Sequence, residues 1–249
     1  MHISPSIGTL EWMKLTYTRI LVKISGEQLA GDGGVGFNTT VAKHVAQEIA
    51  QVVATGAEVV IIVGGGNYMR GAKGSGDGLR RVTADFMGML GSIMNATATA
   101  DVFNANSVPA YALTTVKMDQ VADFYTQRRA LHHLRKSRVV IVGGGIARPY
   151  VTTDTVAVSV ALELDCDVII KATKVDGVYD KDPAQFNDAQ LIEAMDFDRA
   201  VSDPAIKVMD KAALGLALEN DKKIIVCDLE TPGNLQKLIA GERVGTLIS

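Results

Sequence analysis

Short runs rich in valine and isoleucine alternate with helix-like segments along most of the chain. The runs cover residues 19–25, 58–63, 108–113, 138–142, 167–173 and 222–228. β-Branched residues favour strands, and apolar runs without polar alternation are typical of strands covered on both faces. Strands separated by helices pair in parallel, because a parallel pair needs a crossover connection. The sequence therefore predicts an α/β fold with a mainly parallel central sheet and helices on both faces.

Five of the intervening segments are predicted to be helices. They are expected at 38–56, 83–103, 152–164, 203–220 and 233–241. Asn38 or Thr39 would cap the first helix and Gly56 would end it. The second helix has four apolar residues at helical spacing, Phe86, Met89, Leu90 and Ile93. Because the chain shows no linker and no fixed-period repeat, we expect an N-terminal extension at 1–17 and a single domain at 18–249.

Composition excludes several classes of protein. Twenty-five Lys and Arg stand against 28 Asp and Glu, and the net charge of −3 argues against a nucleic-acid-binding protein that works by bulk charge. No apolar run approaches the ~20 residues of a membrane span, and nothing resembles a signal peptide, so a cytoplasmic location is expected. Cys166 and Cys227 lie in apolar runs and are predicted to be buried free thiols. No CxxC or histidine spacing indicates a metal site.

Two apolar runs end in three glycines, at 64–66 and at 143–145. Glycine frees the backbone for unusual dihedral angles and leaves room for another group to approach. In parallel sheets, ligands bind at the carboxyl ends of the strands, which is where both triplets lie. Amides of the first triplet, together with Arg70, suit a phosphate or a carboxylate. The alternative is a tight turn followed by a surface arginine.

Two further segments suit an anionic ligand. Lys23 lies near the end of the first strand and is followed by Ser25 and Gly26; it is either a phosphate-binding cation or a lysine on an edge strand. The stretch 152–154, Thr-Thr-Asp, begins a predicted helix, where free amides favour an anion. The same stretch is also an ordinary helix cap. Its position after the second glycine triplet favours a binding loop.

Other polar residues are more ambiguous. Asp85 lies near a helix start, where it can cap the helix or accept a hydrogen bond from a sugar hydroxyl. Lys207 and Asp210 are predicted to lie one turn apart on one helix, as a surface pair or as part of a site. The patterns GxxxxGK[ST], GxGxxG and GxSxG do not occur. The residues alone indicate an α/β protein that binds a phosphorylated small molecule at the carboxyl edge of its sheet.

Seven segments, in this order, resemble the amino acid kinase family, and within it the bacterial uridylate (UMP) kinase branch. They are "KISGE", "VGGGNYMRG", "RVTADFMGML", "RPYVTTDTVA", "KATKVDGVYDKDP", "IKVMD" and "GTLIS", and they span 19–248. The resemblance implies a three-layer αβα sandwich that assembles as a homohexamer. It implies transfer of the γ-phosphoryl group of ATP to UMP, which gives UDP and ADP in pyrimidine nucleotide biosynthesis. Mg²⁺ is expected with ATP, held through the nucleotide phosphates and not by protein ligands.

The resemblance also implies roles for individual residues. The catalytic residues would be Lys23, Arg70, Asp154, Lys207 and Asp210. The ATP site would comprise Lys23, Ile24, Ser25, Gly26, Gly66, Arg70, Thr173, Tyr179 and Asp182. The UMP site would comprise Gly65, Asp85, Ile146, Ala147, Arg148, Pro149, Tyr150, Val151, Thr152 and Thr153. Neither a nucleic acid nor a membrane is an expected partner.

Two features depart from the family pattern or leave alternatives open. The second glycine segment reads "GGGIARP" where the family commonly has a Gly-Thr-Gly-Asn-Pro run, so Ala147 and Arg148 leave the acceptor preference open. Residues 30–38 lie where some relatives bind GTP, and activation by GTP and inhibition by UTP are hypotheses.

Two other functions are the alternatives to a UMP kinase. One is a kinase that acts on a carboxylate or carbamate, and the other is a nucleotide- or anion-binding protein without catalysis. The combination of Lys23, Asp154 and Asp182 argues against the binding protein without catalysis.

Overall fold

A central sheet of nine strands organises the part of the chain that the structure describes. The computed structural model describes residues 15–71, 78–204, 206 and 208–249. The strands are β1 (Arg19–Ile24), β2 (Glu58–Val63), β3 (Ala110–Thr114), β4 (Asp123–Phe124), β5 (Val139–Gly143), β6 (Val168–Thr173), β9 (Ala194–Met195), β10 (Ile224–Asp228) and β11 (Thr246–Ile248). Two further strands, β7 (Val178–Tyr179) and β8 (Leu191–Ile192), form a separate antiparallel pair.

The order of the strands places β1 in the centre of the sheet. Across the sheet the order is β4-β3-β5-β2-β1-β6-β10-β11-β9, and every neighbouring pair is parallel except β10 and β11. Lys23 therefore lies on a central strand and not on an edge. In the register of β1 and β6, Lys23 is opposite Lys171, so the two lysine side chains leave the same face of the sheet side by side.

Eight α-helices among the described residues cover both faces of the sheet. They are α1 (Gly26–Ala30), α2 (Thr39–Ala54), α3 (Arg81–Ala105), α4 (Gln127–Leu134), α5 (Thr153–Glu163), α6 (Phe197–Ser202), α7 (Lys211–Glu219) and α8 (Asn234–Ile239). Alternate residues of the strands face opposite sides. One set packs with α1, α2, α3 and α8, and the other with α4, α5, α6 and α7. The predicted mainly parallel, three-layer α/β architecture is confirmed.

The helix predicted at 203–220 is wrong in its first half. Helix α7 begins only at Lys211, because the Asp210 carboxylate caps it by accepting a hydrogen bond from Ala213 N at 2.8 Å. Asp210 is therefore the cap that precedes α7. Lys207, which was predicted to lie one turn from it on the same helix, is outside the described residues. The short helix α6 was not predicted. It begins after Asp196, whose side chain accepts a hydrogen bond from Arg199 N at 2.7 Å.

The apolar residues of α3 divide between two faces. Met89 and Ile93 are buried, as their spacing suggests, whereas Phe86 and Leu90 are 43% and 45% exposed. The exposed pair continues along the helix to Met94, and Met87 lies beside it. These four residues, Phe86, Met87, Leu90 and Met94, form what we call the outer stripe. Helical spacing identified the helix, but it did not separate the face that packs on the sheet from the face that does not.

The described part of the predicted extension packs against the domain. The amides of Thr16 and Tyr17 donate to the carbonyl oxygen of Ile239 at 2.9 and 3.4 Å, and the side chains of Leu15 and Tyr17 pack on the core. Residues 1–14 lie outside the described residues.

Both cysteines are buried free thiols, as predicted. Within the described ranges, no helix has the length and apolar character that a membrane crossing requires.

Candidate active site

A cavity of about 620 Å³ opens where the carboxyl ends of β1, β2 and β6 meet the start of α5. Its walls come from the segment after β1, the first glycine loop (residues 64–67), the second glycine loop (residues 143–151), and α3 and α5. Crossover connections bring these segments to one edge of the parallel sheet, because each follows a strand or begins a helix there. The cavity is where the sequence predicts that a ligand binds.

The first glycine loop packs closely against α3 and α1. A side chain at Gly65 would place its Cβ 1.9 Å from the carbonyl oxygen of Gly88, and one at Gly66 would come within 2.6 Å of the Glu27 carboxylate. Gly65 therefore requires glycine, because a Cβ there would meet helix backbone, whereas the flexible Glu27 side chain could move away from a Cβ at Gly66. The sequence attributed the triplet to the approach of a ligand. The structure shows a second cause, the close approach of helix α3.

The second glycine loop has an irregular backbone. Gly144 and Gly145 have φ of +93° and +64°, and Ala147 and Tyr150 also have positive φ, +56° and +66°. Residues with a Cβ rarely adopt this left-handed region. Ala147 occupies the position where the related run has a glycine, which adopts such a conformation without strain. The departure at this position therefore costs the loop conformational energy.

Two lysines share one carboxylate in the cavity. Lys23 Nζ lies 2.8 Å from Asp154 Oδ1, and Lys171 Nζ lies 3.2 Å from Asp154 Oδ2. Lys171 Nζ also donates to the carbonyl oxygen of Val208. The pairing of β1 with β6 sets the two lysines side by side, and Asp154 comes from the first turn of α5. We call Lys23, Asp154 and Lys171 the charge cluster. It carries one more positive than negative charge.

Burial and charge act in opposite directions on the charge cluster. Burial alone would raise the pKa of the Asp154 carboxyl, but the ammonium groups of Lys23 and Lys171 outweigh it and hold the pKa below its usual value. Burial lowers the pKa of Lys171, and Asp154 opposes that shift. The cluster therefore consists of an ionised carboxylate between two partly desolvated ammonium groups. An incoming phosphate would meet the surplus positive charge.

Asp210 supports the cluster from outside the cavity. Its carboxylate accepts hydrogen bonds from the hydroxyls of Thr152 and Thr155, the latter at 3.1 Å, and from the amide of Ala213. Thr152 in turn caps α5 by accepting from Asp154 N at 3.1 Å. Asp210 thus joins the first turn of α5 to the first turn of α7. It fixes the helix start that presents Asp154, and it does not line the cavity.

Two arginines of the cavity are paired with acids. Arg70 Nε donates a hydrogen bond to Glu27 Oε1. Glu27 was not among the residues predicted for the site. Burial would raise the pKa of Glu27, but the hydrogen bond and charge of Arg70 lower it overall. Arg81 Nε donates to both carboxylate oxygens of Asp85, at 2.9 and 3.0 Å. Neither pairing was predicted. The sequence signals that could have indicated them are the acid in "KISGE" and the arginine four residues before Asp85.

Asp85 does not cap a helix. It lies one turn inside α3, whose N-cap residue, Arg80, makes no side-chain capping bond. Asp85 Oδ2 instead accepts a hydrogen bond from Tyr150 N at 2.9 Å, and the Arg81 guanidinium lies 5.1 Å from the centre of the Tyr150 ring. Asp85 therefore joins α3 to the second glycine loop.

The structure brings together about half of the residues predicted for the site. Those lining the cavity are Lys23, Ser25, Gly26, Gly65, Gly66, Arg70, Asp85, Val151, Thr152, Thr153, Asp154 and Thr173. Those that do not line it are Ile24, which is buried in the core, and Ile146, Ala147, Arg148, Pro149, Tyr150, Tyr179, Asp182 and Asp210. Lining residues absent from the predicted site include Glu27, Arg81, Met89, Ser92 and Lys171.

Tyr179 and Asp182 bond within their own segment, which follows β6. The Tyr179 hydroxyl donates to Asp176 Oδ1. The Asp182 carboxylate accepts from Ala184 N at 3.0 Å and from Gln185 Nε2 at 2.7 Å. Thr173, at the end of β6, donates from its hydroxyl to the carbonyl oxygens of Val175 and Cys227. Of these three residues, only Thr173 lines the cavity.

Fold and cavity together define a class: α/β proteins that bind anionic ligands at the carboxyl edge of a parallel sheet. Residues 18–228 match the sequence model of the Amino acid kinase family. The UMP kinase of Bacillus anthracis is 38% identical, with a TM-score of 0.88 over 94% of this chain and 96% of that one. The UMP kinase of Ureaplasma parvum is 30% identical, with a TM-score of 0.85 over 93% and 98%. The chain belongs to the amino acid kinase family.

We predict that Asp154→Asn destabilises the fold at neutral pH and that the difference from the parent shrinks in acid. The folded pKa of Asp154 lies below the usual 3.8, so its contribution is present above that value and is lost as the pH falls through the folded pKa. Removing the carboxylate leaves two buried ammonium groups unpaired, at a cost of about 3 kcal/mol at pH 7. Urea denaturation from pH 7 to pH 3 measures the free energy of unfolding of both proteins.

The control for this prediction is Asp188→Asn. Asp188 is an exposed carboxylate that pairs with Lys181 at 2.6 Å, and exposed pairs contribute about 0–1 kcal/mol. A difference between parent and Asp154→Asn that stays constant or grows as the pH falls would contradict the ionisation described for the charge cluster.

Proposed function

We propose that this chain is a UMP kinase, which transfers the γ-phosphoryl group of ATP to UMP and releases UDP and ADP in pyrimidine nucleotide biosynthesis. The observation that carries the proposal is the charge cluster, with Lys23 and Lys171 held by Asp154 at the strand ends between two glycine loops. The two related structures are UMP kinases that match nearly the whole chain.

The chemistry of the cavity suits transfer between two phosphates. The nucleophile, a phosphate oxygen of UMP, is ionised at neutral pH, so no general base is needed. Phosphoryl transfer depends on positioning and on neutralisation of charge. Lys23 and Lys171 would stabilise the charge of the transferring group, and amides of the glycine loops and of the first turn of α5 would orient the phosphate oxygens. Asp154 would keep the two ammonium groups in place.

The cavity has a side for each nucleotide under this proposal. The ATP phosphates would lie against Lys23, Ser25, Gly26 and Gly66, and the adenosine would lie toward Thr173, Tyr179 and Asp182. UMP would lie against Gly65, Asp85 and residues 146–153, with the ribose hydroxyls donating to Asp85. Arg70 lies beside the first loop, between the two sides. Lys207 is proposed for charge stabilisation from the family pattern alone, and Asp210 acts through Thr152.

Magnesium fits this cavity as an ion carried by the nucleotide. Among the described residues, no group of three or more His, Cys, Asp or Glu is placed to hold a metal ion. The two acids nearest the phosphate side, Asp154 and Glu27, are engaged by lysine and arginine. A Mg²⁺ site built on phosphate oxygens and water needs no protein cage. When bound with ATP, Mg²⁺ neutralises phosphate charge.

The first prediction from this proposal concerns the acceptor. ADP release from ATP and Mg²⁺ is measured separately with UMP, CMP, dUMP, AMP, aspartate, glutamate and carbamate. We expect release with UMP, because the amides and cations of the cavity suit a phosphate acceptor and Asp85 suits a ribose. Release with a carboxylate or carbamate but not with UMP would move the chain to another branch of its family. ATP binding without release in any reaction would indicate a binding protein.

Asp154→Asn is the matched variant for that assay. The amide keeps the size of the side chain but removes the charge that holds Lys23 and Lys171 together, so turnover should fall far more than the affinity for UMP. Asp188→Asn, which alters an exposed carboxylate, should match the parent. Unchanged turnover in Asp154→Asn would remove Asp154 from the catalytic group.

Regulation by nucleotides is a further part of the proposal. Activation by GTP and inhibition by UTP are the two hypotheses that the family resemblance raises. The segment 30–38 contacts the first glycine loop through Gly36, whose carbonyl oxygen accepts a hydrogen bond from Asn67 Nδ2 at 2.6 Å. An effector that binds near this segment would therefore act on the phosphate side of the cavity through the first glycine loop. UMP saturation curves recorded with and without GTP test the activation, which is excluded if the curves overlay.

We also propose that the chain works in the cytoplasm as a homo-oligomer, with a hexamer expected from the family. The outer stripe of α3 supports assembly, because four large apolar side chains on one helix are more than a third exposed. Contiguous exposed apolar surface of this kind marks an interaction site. A second copy of the chain is the partner that we expect.

Leu90→Glu tests the role of the outer stripe in assembly. A charge at the centre of the stripe would be desolvated in an interface, so we expect the mass from light scattering to fall to that of a smaller species. Val35→Glu places the same charge at a residue that is 78% exposed and distant from α3 in the chain, and it should leave the mass unchanged. A Leu90→Glu protein with the parent mass would exclude the stripe as the interface.

A further inference from the structure

Helix α3 contacts both glycine loops through buried polar side chains. Ser92 and Asn95 lie one turn apart on this helix and are both buried, with 1% and 0% of their surface exposed. Each makes a hydrogen bond to the backbone of a different glycine loop. Buried polar groups in an otherwise apolar layer are costly unless they are hydrogen-bonded. Here the bonds run to the two loops that line the cavity.

Ser92 holds the second glycine loop. Its Oγ accepts a hydrogen bond from Gly144 N at 2.8 Å and donates to Met89 O at 2.7 Å. The hydroxyl therefore uses its proton inside the helix and offers a lone pair to the loop. The backbone at Gly143 is also in close contact with the helix, since a Cβ there would lie 2.7 Å from the carbonyl oxygen of Ser92. The loop is thus fixed to α3 at this residue.

Asn95 holds the first glycine loop in the same way. Its Nδ2 donates to Gly64 O at 2.7 Å and to Asn67 Oδ1 at 2.8 Å. Asn67 Nδ2 returns a bond to Asn95 Oδ1 at 3.2 Å and donates to Gly36 O. Both amide groups are buried and satisfied by each other and by backbone carbonyls. Asn95 therefore sets where the first glycine loop leaves β2.

A simpler explanation is that these side chains only stabilise the core. The same helix provides a comparison in Thr99, which is also fully buried, and whose hydroxyl makes no hydrogen bond to any residue that the structure describes. A buried hydroxyl on this face of α3 thus does not require a loop partner. Ser92 also lines the cavity. The two polar residues that bond to loop backbone are those one turn apart beside the glycine triplets.

We propose that Ser92 and Asn95 are positioning residues that fix the two substrates relative to each other through one rigid helix. This inference rests on the proposed function, in which the second loop holds UMP and the first loop contacts both nucleotides, the ATP phosphates at Gly66 and UMP at Gly65. Phosphoryl transfer requires the attacking oxygen and the transferred group to be aligned closely. Two loops fixed to adjacent turns of the same helix keep a constant separation, which two independently anchored loops would not.

The experiment separates the two loops by kinetics. In Ser92→Ala, Gly144 N loses its partner, so we expect the KM for UMP to rise about tenfold while the KM for ATP changes less than about twofold. In Asn95→Ala we expect the KM for ATP to rise as well, because the first loop contacts both nucleotides. Ser92→Thr keeps the hydroxyl and should restore most of the parent KM for UMP.

Two control variants lie on the same helix. Thr99→Ala removes a buried hydroxyl that contacts neither loop. Asn104→Ala removes an amide that bonds to the backbone of Ala110, at the far end of α3. Neither should change either KM, whatever its effect on the thermal midpoint. The inference is overturned if Ser92→Ala behaves like Thr99→Ala, if Ser92→Ala raises both KM values equally, or if Asn95→Ala leaves the KM for ATP unchanged.

A second readout does not depend on the activity. Amide hydrogen exchange should become faster at residues 143–146 in Ser92→Ala and at residues 64–67 in Asn95→Ala, with no change at the other loop. Parent protein that fails to phosphorylate UMP would disprove the proposed function, while exchange would still decide whether α3 supports the loops. Active parent protein with unchanged loop exchange in both variants would overturn this inference alone.

Discussion

The shared carboxylate of Asp154 is the interaction on which the arrangement of the cavity depends. The register of β1 and β6 places Lys23 opposite Lys171 on the same face of the sheet. Two ammonium groups in a partly desolvated position repel each other strongly. An anion between them removes that repulsion, and Asp154 supplies it at 2.8 and 3.2 Å. The position of α5 therefore meets an electrostatic requirement of the β1–β6 pair, in addition to covering the sheet.

The position of Asp154 depends in turn on contacts farther from the cavity. Thr152 caps α5, and Asp210 bonds to both Thr152 and Thr155 while it caps α7. Two helix starts are thereby joined through one carboxylate. Such a network is rigid because each polar group has a defined partner. Asp210 acts at a distance from the cavity, which explains how it can belong to a functional segment without lining the site.

The two glycine triplets have a common explanation in the topology. Strands β2 and β5 are neighbours in the sheet, and both end against helix α3. Gly65 and Gly143 are in close contact with that helix, so the absence of a side chain first permits helix-to-loop packing. Glycines of both triplets also line the cavity. One chain repeats the feature because two adjacent strands deliver their ends to one helix at the edge where the ligand is expected.

Local sequence signals predicted the six longer strands β1, β2, β3, β5, β6 and β10, helix α2 and the edge of the sheet that forms the cavity, because these depend on residues close together in the chain. The two-residue strands β4, β7, β8 and β9 were not predicted. Long-range partners were not predictable. Asp210 caps α7 and also connects it to α5, because Thr152 and Thr155 lie beside it in space. Phe86 faces outward although it belongs to the same helical spacing pattern as the buried Met89.

The unpredicted partners of Arg70 and Asp85 have a consequence for ligand binding. Both side chains are already in charged hydrogen bonds, so a ligand exchanges one partner for another. Such an exchange contributes little net affinity, and orientation within the cavity becomes its main effect.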